Sequence, residues 1–411
     1  MKFKFIVILF CLTLSAFAQR SDKNLPQRTV VQPNPNVNVQ NLSVDPNAAR
    51  TAPVSKGQEG NQARMSRGIR PTGPDTVLND PYNVRAYTLA NGLKVLISVN
   101  RNAPRIQTYI AVKAGSKFDP AATTGLAHYL EHMMFKGSHD FGTRDWAKES
   151  VLLDSISANF EYHKATASYD VKAAIYARID SFSYEASKYA IPNEYDKMMT
   201  SLGADGTNAF TSTDMTVYVN DIPSNGLDKF LAIESNRFKT LVLRIFHTEL
   251  ETVYEEFNRN QDNDRRWSDH AIDNALLPNH PYGTQTTIGE GEHLKNPSMV
   301  NIHDYFNTYY RPNNVAIILV GDLDPDATVR SIDKYFGNWQ SKPIPQFTKR
   351  DEPVVTAPII REIKGPQPEH VYMGFLFDGA NSHDAMMAKL VDMVLANGQA
   401  GLIDLDLVQQ Q

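Results

Sequence analysis

The sequence predicts an α+β fold: an antiparallel sheet with helices packed on one face, followed by the start of a second, similar domain. Three observations carry this. Arg85–Leu89 and Leu93–Ile97 flank Ala90-Asn91-Gly92, and Asn-Gly between two such runs is the strongest short-range hairpin signal. Gln107 to Lys113 alternates apolar and polar residues, as a half-buried strand does, and Gly115-Ser116 ends it. Helical spacing follows at once, so strands are laid down first and helices cover them. The folded length, about 335 residues, exceeds one ordinary domain. It fits one complete domain over 79–345 and an incomplete one over 358–411.

The N-terminus reads differently. Residues 1–18 have the form of a signal peptide: Lys2 and Lys4 as a basic start, an apolar run from Phe5 to Leu14, and Ala16-Phe17-Ala18 as a cleavage site. The mature chain would begin at Gln19, and the run is short for a bilayer span, the competing reading being an uncleaved anchor. Cys11 is the sole cysteine and would leave with the signal, which excludes disulfides and thiol catalysis in the mature protein. The expected location is a bacterial periplasm or the exterior, with no membrane span after signal removal. Residues 19–78 are rich in Pro, Asn, Gln and Val without a sustained period, the composition of a disordered linker. Residues 1–75 hold ten Lys and Arg against four Asp and Glu, leaving 31 basic and 42 acidic residues and a formal balance of −11 beyond them. That acidity argues against nucleic acid as a partner.

After the predicted strand comes His128-Tyr-Leu-Glu-His132. Positions i, i+3 and i+4 share one face of a helix, so His128 and His132 can hold one metal ion with Glu131 beside them. Two imidazoles and a carboxylate suit Zn²⁺. Zinc lowers the pKa of water it holds from ~15.7 to near ~7, and a neighbouring carboxylate can take the proton. The order H-x-x-E-H is the inverzincin signature. By itself the pentapeptide is better read as a chance histidine pair on an amphipathic helix, with no metal.

A hydrolytic zinc site takes three protein ligands and leaves a position open. The second helix to consider is Thr248–Asn258, with Leu250, Val253, Tyr254 and Phe257 at helical spacing. Glu249 and Glu256 are seven residues apart and share a face with Val253, where an unpaired carboxylate is costly. Glu256 is assigned as the third ligand and Glu249 as a group bracing the metal's ligands. Glu251 and Glu255 face solvent. On pattern alone, all four are equally a solvated acidic face.

With these motifs in place the chain resembles the pitrilysin-type, or M16, zinc peptidases. The resemblance rests on H-x-x-E-H, on the Glu249–Glu256 spacing, on Asn208-Ala209-Phe210-Thr211 between them, and on His280-Pro-Tyr-Gly283, Ile288-Gly289, Tyr309–Asn313 and Ile317–Asp322 in the same order. It covers about residues 83–345 and continues more weakly to the end. It implies a zinc endopeptidase acting on extended peptides or small unfolded proteins, with Glu131 as base. His128, His132 and Glu256 would be the ligands. Asn208, Ala209 and Phe210 would form a substrate-binding edge strand. Strand addition of this kind gives affinity with little sequence preference. The alternative is a non-catalytic subunit of the same fold, although such members usually lack part of the metal constellation and this chain keeps all of it. A purely structural zinc fits poorly, because structural sites usually close with four protein ligands.

Two departures from the family pattern stand out. Glu131 and Glu256 are 125 residues apart, more than is usual, and the surplus is assigned to a helical insertion at about 145–197, where Val171, Ile175, Ile179 and Phe182 recur at helical spacing. It reads either as a gate beside the cleft or, with more weight, as a tolerated surface excursion. Near the C-terminus, His370–Leu376 reads as a strand and Asp384–Leu395 as a helix of a second domain that stops at Gln411. The family's distal half supplies an Arg and Tyr pair that nothing here matches. The expectation is a piece of a longer protein, or a partner half or subunit that completes a chamber. The other nine histidines, among them His139, His280 and His303, lack ligand spacing. Gly289-Glu-Gly291 has no third glycine for a nucleotide loop. Met133 and Phe135 read as core around the site helix.

Overall fold

The structure, a computed structural model, describes residues 5–12, 75–76, 79–348 and 351–409. The expected linker lies outside the described residues except for Asp75–Thr76, as do residues 1–4 and 13–18 of the expected signal peptide. The strands are β1 (Phe5–Leu12), β2 (Asp75–Thr76), β3 (Arg85–Thr88), β4 (Lys94–Val99), β5 (Arg105–Val112), β6 (Asp205–Thr211), β7 (Thr216–Pro223), β8 (Val315–Gly321) and β9 (Val371–Phe377). The helices are α1 (Leu126–Met133), α2 (Trp146–Ala165), α3 (Tyr169–Ser187), α4 (Glu194–Leu202), α5 (Leu227–Lys239), α6 (Phe246–Gln261), α7 (Asp264–Leu276), α8 (Pro281–Thr284), α9 (Gly291–Lys295), α10 (Met299–Tyr309), α11 (Pro325–Phe336) and α12 (His383–Leu395). Packing groups the described residues into two units. One takes residues 75 to 257 and 287 to 347; the other takes 5–12, 258–286 and 348 to 409.

The first unit is α+β, built on a sheet of order β2-β3-β4-β8-β5-β7-β6. The predicted hairpin joins β3 to β4, with Gly92 at φ +86° and the Asn91 side chain donating to the carbonyls of Phe336 and Trp339. The sheet is antiparallel except at one seam, where β4 runs parallel to β8. The cause is the position of β8. It returns after ten helices and enters between β4 and β5, and a parallel neighbour is reachable only over such a long crossover. Register then lines up Tyr87, Val95, Ile317, Ile110 and Tyr218 across five strands. All five are buried, and the three aliphatic side chains are each worth roughly 1.5–3 kcal/mol of transfer free energy.

The stretch from 145 to 197 is no surface excursion. Leu153, Ile156 and Phe160 of α2, Ile175 and Ile179 of α3, and Tyr195 of α4 are buried members of the main core. The helical spacing of the sequence marked this face; its polar surroundings concealed that the face points inward. Glu149 near the start of α2 is fully buried as well, against Arg244.

In the second unit β9 and α12 form where the sequence placed a strand and a helix. Ser382 caps α12 through a hydrogen bond from the Ala385 amide. Residues 5–12, the apolar centre of the expected signal peptide, run antiparallel to β9 from Phe5 opposite Phe377. Cleavage after Ala18 would remove that strand. Phe375 on β9, and Met386, Leu390 and Val394 on α12, are exposed.

Candidate metal centre

Helix α1 begins where the chain can hardly begin otherwise. Gly125 sits at φ +81°, and a Cβ there would lie 2.6 Å from the Ile288 carbonyl. Only glycine meets both demands without strain. Its facing neighbour is Gly289, so that glycine serves close backbone approach. The first amides of the helix are satisfied from six residues upstream: Asp119 accepts from Gly125 (2.8 Å), Leu126 (3.1 Å) and Ala127 (3.0 Å). Burial pushes the Asp119 carboxyl up to about 8, while those three amides pull it down. Asp119→Ala would strand three helix donors at a buried position. We expect it to lower stability by about 2–4 kcal/mol, read as a fall in the urea midpoint; a midpoint equal to wild type would show that solvent caps the helix.

Within α1, Leu126, Ala127, Tyr129, Leu130, Glu131 and Met133 are buried, and only His128 and His132 are less so. Phe135, just beyond, packs on the core against Tyr195. Tyr129 ties α1 to α6. Its hydroxyl donates to the Phe246 carbonyl at 2.5 Å, and the two rings lie 4.6 Å apart. Leu250 and Val253 bury the inner side of α6, Glu251 and Glu255 are exposed, and Glu249 and Glu256 lie between these extremes. Immediately before α6, Ile245 adopts φ +56°, which a β-branched residue takes only under constraint.

The structure brings together the residues that the sequence singled out. One ligand atom each from His128, His132 and Glu256 lies within 4.8 Å of the others. Nε2 of His128 is 3.5 Å from Glu256 Oε2, and Nε2 of His132 is 3.8 Å from the same oxygen. Donors on a tetrahedron with ~2.1 Å arms sit about 3.4 Å apart, so this set fits zinc with little adjustment. On the other side of the His132 ring, Nδ1 is 3.5 Å from Glu249 Oε2, and Glu249 Oε1 is 2.5 Å from Lys136 Nζ. Burial disfavours charge on Glu249, but His132 and Lys136 outweigh it and hold its carboxyl below the usual range. Burial likewise opposes charge on His132, and Glu249, Glu256 and Glu131 outweigh it to raise the imidazole. Protons therefore compete with any metal for this ring as pH falls.

Glu131 is 8% exposed. Burial raises its carboxyl; the Thr211 hydroxyl and His132 oppose that shift, and Glu256 adds to it. Thr211 Oγ1 donates to Glu131 Oε2 at 2.6 Å. Thr211 ends β6, the outermost strand of the sheet beside β7. Along that strand Asn208 and Phe210 are exposed and Ala209 is half-buried.

Two buried arginines hold the segment after α1. Arg237 pairs with Glu234 and donates to the Met134 carbonyl. Arg244 pairs with Glu149 at 2.6 and 2.9 Å and donates to the carbonyls of Lys136 and Ser138. Sequence reasoning missed Asp119, Lys136, Arg237 and Arg244, and met Thr211 only as part of a motif, with no role. Each acts across a long sequence separation or through backbone atoms, where no spacing rule applies.

Residues 94–173 match the model of the insulinase family (peptidase family M16), and residues 300–411 match that of the peptidase M16 inactive domain. The first match takes in all of α2. An uncharacterized zinc protease, YmxG, of Bacillus subtilis is 21% identical over 294 residues, 71% of this chain and 59% of the relative. The zinc protease PqqE of Helicobacter pylori is 22% identical over 350 residues, 79% of this chain and 64% of the relative. The chain thus spans about three fifths of the length of these two relatives. A solved protease structure from Helicobacter pylori aligns with a TM-score of 0.48 at 24% identity, covering 64% of this chain and 52% of that one. Two M16 family models matched in chain order, with zinc proteases among the relatives, make this chain similar to the M16 peptidases.

Proposed function

We propose that the chain is a zinc-dependent endopeptidase that hydrolyses peptide bonds of extended peptides or small unfolded proteins. One observation carries the reading: helices α1 and α6 converge two imidazoles and a carboxylate within 4.8 Å, with the carboxylate of Glu131 in the same cluster. His128, His132 and Glu256 would hold the ion. Zinc, when bound, supplies Lewis acidity and makes a water acidic enough to attack at neutral pH.

The chain's own groups do the rest. Glu131 takes the proton of the attacking water and later hands one to the leaving amine. Glu249 accepts from His132 Nδ1 and is itself fixed by Lys136, which sets the ring's tautomer and orientation. Asn208, Ala209 and Phe210 on the open side of β6 hold a substrate as an added strand. Export to a bacterial periplasm or the exterior is part of the proposal and rests on the pattern of residues 1–18. Among the described residues no helix is long and apolar enough to cross a membrane. A second M16-type half or subunit would complete the chamber, and the exposed apolar faces of β9 and α12 are surfaces of the kind a partner covers.

The reading is tested by cleavage of an unstructured fluorogenic peptide before and after chelation, with elemental analysis for zinc. One ion per chain and chelator-sensitive cleavage are expected. His132→Ala should lose both together, and a variant that keeps full zinc occupancy would break the ligand assignment.

A further inference from the structure

Thr211 stands at a junction that the reaction scheme above does not use. It is the last residue of β6, whose outer edge is proposed to take the substrate, and its hydroxyl meets the proposed base directly. An ionised carboxylate can only accept, so the hydroxyl proton points to Glu131. A second threonine backs the hydroxyl. Thr216 Oγ1 lies 3.5 Å away, is fully buried, and donates to the Ala114 carbonyl at 3.1 Å. The two threonines face each other in the β6–β7 register, so the position of Thr211 follows from the sheet and not from a loop.

We propose that Thr211 is a positioning residue for catalysis: it fixes the carboxylate of Glu131 and joins that carboxylate to the strand that receives the substrate. The inference rests on the peptidase reading above. Glu131 has three side-chain torsions, and without an anchor its carboxylate has several rotamers open to it. Misplacing a reacting group by about 1 Å can cost on the order of 10²-fold in rate. The 2.6 Å bond removes that freedom at one oxygen and leaves the other for the water. Because the anchor lies on β6, a shift of that strand moves the base as well. Binding along the strand and proton transfer are thereby mechanically linked.

The test uses the full chain with Thr211→Val, which keeps the shape and removes the hydroxyl, and Thr211→Ser, which restores it. Valine is expected to lower kcat by roughly 10- to 100-fold with KM within about twofold and zinc content unchanged, and serine to recover most of the rate. Equal kcat in wild type and the valine variant would overturn the proposal. So would a valine defect that serine does not repair. If wild type itself cleaves nothing, the peptidase reading fails separately, and crystal structures of wild type and Thr211→Val then decide the positioning claim. A Glu131 carboxylate that leaves its place or splits between rotamers in the variant supports it, and an unchanged single conformer overturns it.

Discussion

Glu131→Gln is expected to leave the protein folded and zinc-loaded while lowering kcat/KM by roughly 10²–10⁴-fold, the range general base catalysis supplies. The substitution is nearly isosteric, and the amide oxygen can still accept from Thr211. Burial is unchanged at a site that is 8% exposed in the wild type. What disappears is the ability to take a proton, because an amide is not basic near neutral pH. The three proposed ligands are untouched. The experiment pairs initial rates on an unstructured peptide with elemental analysis of the same samples. Loss of rate with full zinc identifies the base, whereas a rate within twofold of wild type would transfer that role to another group.

The second large effect is structural. Arg244→Met should destabilise the protein by about 3–5 kcal/mol, because it leaves Glu149 charged in the interior without a partner. Both side chains are at most 1% exposed, and their two hydrogen bonds measure 2.6 and 2.9 Å. Adding Glu149→Leu should recover much of the loss, since replacing both members of a buried pair by apolar groups is often near neutral. Recovery will be partial: the carbonyls of Lys136 and Ser138 lose their donor in either variant. Urea unfolding of the two single variants and the double variant measures the coupling. Strictly additive losses would mean that the two residues do not act as a pair.

Much of the site was legible because helical spacing is a geometric statement. His128 and His132 at i, i+4, and Glu249 and Glu256 seven apart, fix which side chains share a face before any fold is known. The hairpin at Asn91-Gly92 and the alternation in β5 were legible for the same reason. The parallel seam between β4 and β8 was not, since strand order depends on which edge a distant segment finds. Nor was the interior role of α2. Glu149 reads as a surface residue until Arg244 is placed against it. Thr211 carries no periodic signal at all. Its importance comes from reaching a side chain 80 positions earlier in the chain.

The bond from Tyr129 to the Phe246 carbonyl has a consequence for time as well as for shape. It joins the helix bearing both histidines to the first turn of the helix bearing Glu256, deep in the same core. Neither helix can fray alone at that point, because opening one must strip a buried hydroxyl and a ring contact from the other. An ion bound there would meet donors whose spacing is set by the core and not by the ion. That spacing lasts for as long as the core stays closed, while His128, His132 and Glu256, all partly open to solvent, leave the ion itself free to exchange.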